Sequence, residues 1–192
     1  MKRNEFLDLL INPFTRIAGW QALMSGITVF ALTIYIGFNG NAYFDGIIDM
    51  HFVENAVLKY SALSGIISLI TLAVVMSIAC TLVTKNFRFI DILGTMTLAK
   101  APFLILAVVS LFVKMPALEQ ILQNPLILFT SVSFIVMLVT SIPVIIWTII
   151  LMYNGLKVSA GIKGIQLNVV FVTTLIVAEA ISKTFIFILL KP

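Results

Sequence analysis

The stretch VLKYSALSGIISLITLAVVMSIACTLVT, residues 57–84, decides the fold. Lys59 is its single charged residue, and the run is longer than a soluble core helix needs. About 20 predominantly apolar residues suffice to cross a hydrocarbon core about 30 Å thick. The stretch therefore reads as a transmembrane helix, from about Val57 to Thr84. Small side chains at Ser61, Ser64, Gly65 and Ser68 mark an expected helix–helix contact face, because close backbone approach replaces the hydrophobic drive in lipid.

Similar runs lie on both sides. A first span is expected over Ile17 to Phe38, entered through Arg16 and Trp20 and closed by the end signal Asn39-Gly40-Asn41. After the basic turn Lys85-Asn86-Phe87-Arg88, a third span is expected over Phe89 to Val113. A fourth is expected over Leu126 to Tyr153, interrupted by Pro143, with Trp147 and Tyr153 as interface aromatics, and a fifth over Leu167 to Leu190. The third is unusual, with a moderately apolar first half from Asp91 to Lys100 and Pro102 near its centre. It reads as an interfacial helix that dips in, or as one kinked helix. The kinked helix is preferred, because neighbouring helices can satisfy the backbone group that a proline frees.

The expected fold is all-α, a polytopic membrane helix bundle of about five transmembrane helices. Residues 1–16 form an N-terminal cytoplasmic or interfacial segment and residues 17–190 the five-span domain. Asp8 and Pro13 interrupt the N-terminal apolar stretch and no small-residue cleavage site follows, which argues against a cleavable signal peptide. Phe6, Leu9 and Leu10 suit a short helix on the membrane surface, ending near Pro13.

Composition agrees. The chain of 192 residues is 61% hydrophobic and only 10% charged, with a mean hydropathy of +1.16. A soluble domain carries about 25% charged residues to face water. The net charge of +4 is small and sits in short loops beside apolar runs, so nucleic acid is not an expected partner. Cys80 is the only cysteine, which excludes an intrachain disulfide and a multi-thiolate metal site. Within its apolar run it reads as a buried, inert thiol. Lys2, Arg3, Arg16, Lys85, Arg88, Lys157 and Lys163 fall on one side of the spans, against Lys59, Lys114 and Lys191 on the other. That bias places the N-terminus in the cytoplasm and the C-terminus outside it. The compact loops suit a prokaryotic cytoplasmic (inner) membrane.

Lys100, Glu179 and Lys183 remain inside the spans. A charge at a helix centre costs about 2.5–3.5 kcal/mol on insertion scales, so each needs a reason. Lys100 and Glu179 stand about 16 and 18 Å into two spans that run in the same direction. They are expected to pair near mid-bilayer, with Lys183, one turn beyond Glu179, as a second partner. Lys183 could also snorkel outward. Two roles stay open for the cluster: a structural clamp, or a path for an ion, proton or substrate.

His51 with Asp45, Asp49 and Glu54 reads as a solvated acidic loop rather than a metal site. The hydroxyls of the spans have no histidine base nearby in sequence, and the glycines after Tyr153 lack a phosphate-loop ending. No catalytic residue, metal or other cofactor is expected, and the chain does not read as an enzyme.

The motifs form a layout. A tail ends in Asn12-Pro13-Phe14, a Phe87-Arg88 turn leads to Asp91, and an Ala101-Pro102 step lies inside span three. The Tyr153-Asn154-Gly155-Leu156-Lys157 turn and the Ala178-Glu179-Ala180 stretch come last. Over residues 12–190 this resembles the prokaryotic members of the Yip1 family of small five-span membrane proteins. Eukaryotic members are associated with Rab GTPases and vesicle traffic, and their Asp-Leu-Tyr-Gly-Pro string is absent here. The resemblance implies a non-enzymatic membrane-organising or trafficking-type scaffold and transfers no functional residue. The alternative is a small transporter, channel or lipid-handling protein with Lys100, Glu179 and Lys183 lining the route. Expected partners are membrane lipids and a homo-oligomer or other membrane proteins.

Overall fold

In lipid no water is present to bond a free N–H or C=O, so a crossing segment must satisfy its backbone internally, as a helix does. The computed structural model, which describes residues 8–84, 86–116 and 118–190, obeys this along most of its length. It is an all-α bundle with five helical segments long and apolar enough to span a membrane. They are α1 (Gly19–Asn39), α2 (Leu58–Val83), the broken pair α3 (Phe89–Ala99) and α4 (Phe103–Ser110), α7 (Val132–Ala160) and α8 (Gly164–Leu189). Two short helices, α5 (Leu118–Gln123) and α6 (Ile127–Thr130), connect α4 to α7. Phe6, Lys2, Arg3, Lys85 and Lys191 lie outside the described residues.

The expected kink is a break. Pro102 has no N–H, and the chain tightens into i→i+3 bonds on both sides of it. Lys100 N–H donates to Thr97 O at 3.3 Å, and Phe103 N–H to Lys100 O at 3.0 Å. Lys100 thus stands at the C-cap of α3, in mid-span. Pro143 behaves differently: it lies inside α7, which continues unbroken through it.

The fourth span is displaced from its expected place. It starts at the N-cap Ser131, whose side chain accepts from Phe134 N–H, and ends at Gly161, which adopts φ 66°. A left-handed glycine is a standard helix stop. Asn154-Gly155 is therefore no terminator. A Cβ on Gly155 would lie 3.1 Å from both Thr95 and Met96, so the glycine is there for close packing on α3. The connection left between the expected span ends at Tyr153 and Leu167 shrinks to residues 161–163. Trp147 consequently stands near the middle of α7 rather than at an interface. Its indole N–H donates to Leu10 O at 2.7 Å, and Asn154 Nδ2 donates to Ile11 O at 3.1 Å. Together with buried Phe14, these bonds hold the N-terminal segment against α7.

The tightest helix pair is α1 on α3. A Cβ on Gly26 would come within 2.7 Å of Leu98 N and 2.9 Å of Thr97 C, and one on Gly94 within 2.5 Å of Gly19 O. These neighbours are backbone, which cannot move aside cheaply. Helix α8 packs chiefly along α2.

Gly26→Val should destabilise the bundle by about 1–3 kcal/mol through overpacking, whereas Ala31→Val, on the exposed side of α1, should leave it unchanged. Thermal unfolding in detergent micelles measures both. Equal effects would contradict the close α1–α3 contact.

Candidate functional site

Residues 40–57 join α1 to α2, and part of this segment is buried. A two-residue antiparallel ribbon pairs Ala42 with Phe52 and Tyr43 with His51. Asn41 N-terminal to it takes φ 53°, and its Oδ1 accepts from Ala56 N–H at 3.1 Å, closing the base of the hairpin. The tip turns inward. Phe44, Asp45, Gly46 and Ile47 are all buried, Ile47 completely. Of the expected solvated acidic loop, Asp49, His51 and Glu54 are exposed while Asp45 is buried, and the reason is in the tip's composition: Phe44, Ile47 and Ile48 are interleaved with the acids and seek the apolar interior.

Such a tip is non-helical backbone inside the bundle, tolerable at membrane depth only where protein groups satisfy it. Three helices supply those groups. From α3, the Lys100 ammonium donates to Gly46 O at 2.8 Å and to Ser68 Oγ at 3.0 Å. From α2, Ser68 Oγ donates to the same carbonyl at 2.9 Å. From α8, Glu179 Oε2 accepts from Ile47 N–H at 2.7 Å.

Gly46 C=O and Ile47 N–H are the two ends of one peptide group. Its dipole of about 3.5 D presents the negative end to the ammonium and the positive end to the carboxylate. The expected direct pair between Lys100 and Glu179 is therefore corrected: no ion pair within 4.0 Å joins them among the described residues. A peptide group stands between. Charge-assisted bonds to the loop satisfy both side chains and the loop at once, which a direct pair would not.

The depth is consistent across the three helices. Ser68, Lys100 and Glu179 each lie about ten residues, roughly 15 Å, from the helix end on the loop side. That is about half of a 30 Å core. Lys100 is only 3% exposed.

Lys183 departs from its expected partners as well. Nearer the end of α8, its ammonium reaches Asp45 at 3.3 Å and Asp49 at 3.2 Å. Asp45 is buried, and its other oxygen lies 3.0 Å from His51 Nδ1. An ionised carboxylate only accepts, so His51 presents Nδ1–H to it. Burial alone would push the Asp45 carboxyl up, but the hydrogen bond and charge of His51, then the Lys183 ammonium, outweigh it and hold it below 3.8. No cluster of three or more metal-ligating side chains occurs among the described residues. The stripe Ser61, Ser64, Gly65 and Ser68 is buried as expected, but it receives the loop as well as α1. A Cβ on Gly65 would meet Ile34 at 2.8 Å and Phe44 O at 3.5 Å.

Sequence reasoning located the three charges and missed what they hold: Gly46, Ile47, Ser68, Asp45 and Asp49. The available signal was the tip itself, too apolar for a loop in water.

Replacing Glu179 tests the amide end. Glu179→Gln retains an acceptor for Ile47 N–H, whereas Glu179→Leu leaves that group unpaired at about 1–3 kcal/mol. Hydrogen exchange at Ile47 should accelerate strongly in the Leu variant and much less in the Gln variant. Equal rates in all three proteins would show the bond to be absent. For Asp45, a depressed folded value means that its contribution is complete above 3.8 and is lost as pH falls through the folded value below that. Exchange from the 44–50 tip should rise below that pH in the native chain and lose this rise in Asp45→Asn.

Comparison of this chain with protein-family models, with curated proteins and with solved structures gives no match.

Proposed function

We propose that this chain is a non-enzymatic integral membrane protein that organises its surroundings through helix faces, a scaffold of the kind implied by its resemblance to the Yip1 family. The observation that carries the proposal is the engagement of the intramembrane charges. Lys100 and Glu179 bond one peptide group of the chain's own loop, and Lys183 bonds two of that loop's carboxylates. These are the groups a route for an ion or proton would use, and here they hold structure. A second support is the outer face of α8, where Ile165, Val169, Val172 and Ile176 recur at helical spacing and are exposed. Such a face suits lipid or another transmembrane helix. The bias of basic residues favours an N-terminus on the cytoplasmic side of a prokaryotic inner membrane.

The transport reading has one observation in its favour. Lys100 stands at the break before Pro102, and broken helices in transporters sit beside binding sites.

Proteoliposomes separate the two. The scaffold reading expects no proton or ion flux and no lipid scrambling above empty vesicles, together with photo-crosslinking from position 176 to a membrane protein, either a second copy or another chain. Flux that is present in the native chain and abolished in a correctly folded Lys100→Met variant would overturn it.

A further inference from the structure

Eight methionines are scattered along the chain with no spacing that suggests a site. The fold brings three of them together. Met50 comes from the hairpin, Met115 from the connection after α4 and Met137 from α7, and all three line one cavity of about 200 Å³. Met137 is buried, and Met50 and Met115 are half-buried and pack on the same apolar cluster. Methionine ordinarily fills irregular gaps in a core, because it is unbranched and turns about three bonds. Here three of them surround a gap that they leave open. A round space of that volume is about 7 Å across, so flexible thioethers on its wall can reach one ion at its centre.

The other lining groups limit what that ion can be. Asp49 is the one charged residue of the wall, and it already faces Lys183 at 3.2 Å. Ser141 Oγ donates back to Leu138 O at 3.1 Å. No three His, Cys, Asp or Glu side chains come together among the described residues, so the ligand sets that hold Zn²⁺, Ca²⁺ or Mg²⁺ are missing there. Thioethers are soft ligands and select soft ions such as Cu(I). A single carboxylate beside them balances one positive charge, not two. There is also a way in. A second cavity, of about 790 Å³, shares Phe52, Met115 and Phe134 with the first and is lined by exposed Glu54 and Lys114 at the loop end of the bundle.

We propose that Met50, Met115 and Met137 form a binding site for one soft monovalent metal ion, Cu(I), which ties the hairpin to α7. The proposal goes beyond the scaffold reading and stands separately from it. Ion binding here needs no protein partner, and its failure would leave the flux and crosslinking results untouched.

Ag(I) serves as the probe, since it has the charge and softness of Cu(I) and is not oxidised in air. Cys80 is the only thiol, so Cys80→Ala protein is used throughout to remove a competing ligand. This protein, isotope-labelled at its methionine methyl groups, is titrated in detergent with silver nitrate in chloride-free buffer and followed by NMR. The expected result is saturation at one ion per chain. The Met50, Met115 and Met137 methyl resonances should shift together, while those of Met24, Met76, Met96 and Met152 stay in place. Met137→Leu, which keeps size and apolarity, should weaken the affinity at least tenfold, and changing all three to Leu should abolish binding. Zn²⁺ should shift none of the three. The site would be overturned by a lack of saturable binding, or by shifts spread over the other methionines at the same Ag(I) concentration. An affinity unchanged in Met137→Leu would overturn it as well. Should a Leu variant fail to fold, the methyl shifts of the Cys80→Ala protein alone decide.

Discussion

A single peptide group, between residues 46 and 47, fixes the interior of this protein. Backbone without helical bonding cannot face lipid, where each unsatisfied group costs several kcal/mol. The hairpin tip enters the bundle nonetheless, and it does so because an ammonium from α3 caps its carbonyl and a carboxylate from α8 caps its amide. The insertion also accounts for the charges. Lys100 and Glu179 would each be a liability alone at that depth, and the loop gives each a hydrogen-bond partner of the right polarity. The two features explain each other.

The same contact joins elements that touch little otherwise. Helix α8 packs along α2 and makes few contacts with α7. The loop extends its attachment to α3 through Glu179, the 46–47 peptide and Lys100, and Lys183 adds a second tie to Asp45 and Asp49 nearer the surface. At the opposite end the bundle is closed by different means. Thr95 Oγ1 and Ser159 Oγ lie 2.9 Å apart, Ser159 also bonds Asp91 O at 3.0 Å, and Arg88 covers the Asp91 carboxylate. Glycines bring α1 against α3 between these two seams. The interior is thus tied at both ends, and the helices expose large apolar side chains on their outer faces.

Much of this was legible in the residues. The spans could be read because lipid imposes a length and an apolarity that few other environments demand, and Lys100, Glu179 and Lys183 stood out for the same reason. Pro102 marked where the third span departs from a regular helix, since a missing N–H has a local consequence, but it reads as a kink in the sequence and is a break. What could not be read was partnership. Helical rise gave Lys100 and Glu179 the same depth, and two opposite charges at one depth invite a direct pair; nothing in their spacing reveals a peptide inserted between them. Asp45 looked like a surface acid because a loop outside the spans is normally wet, although Phe44, Ile47 and Ile48 near it argued otherwise. Asn154-Gly155 looked like a helix end because glycine has two uses, stopping a helix and letting another approach, and only the position of α3 distinguishes them.

The claim that two distant charges act on one peptide group is tested most directly by a double-mutant cycle between Lys100→Met and Glu179→Leu, with unfolding free energies measured in lipid nanodiscs. If the charges hold opposite ends of the same group, removing either lets the tip withdraw and weakens the other bond. The account then predicts a coupling of about 0.5–3 kcal/mol despite the lack of direct contact. Effects that add to within about 0.5 kcal/mol, as for independent sites, would contradict it.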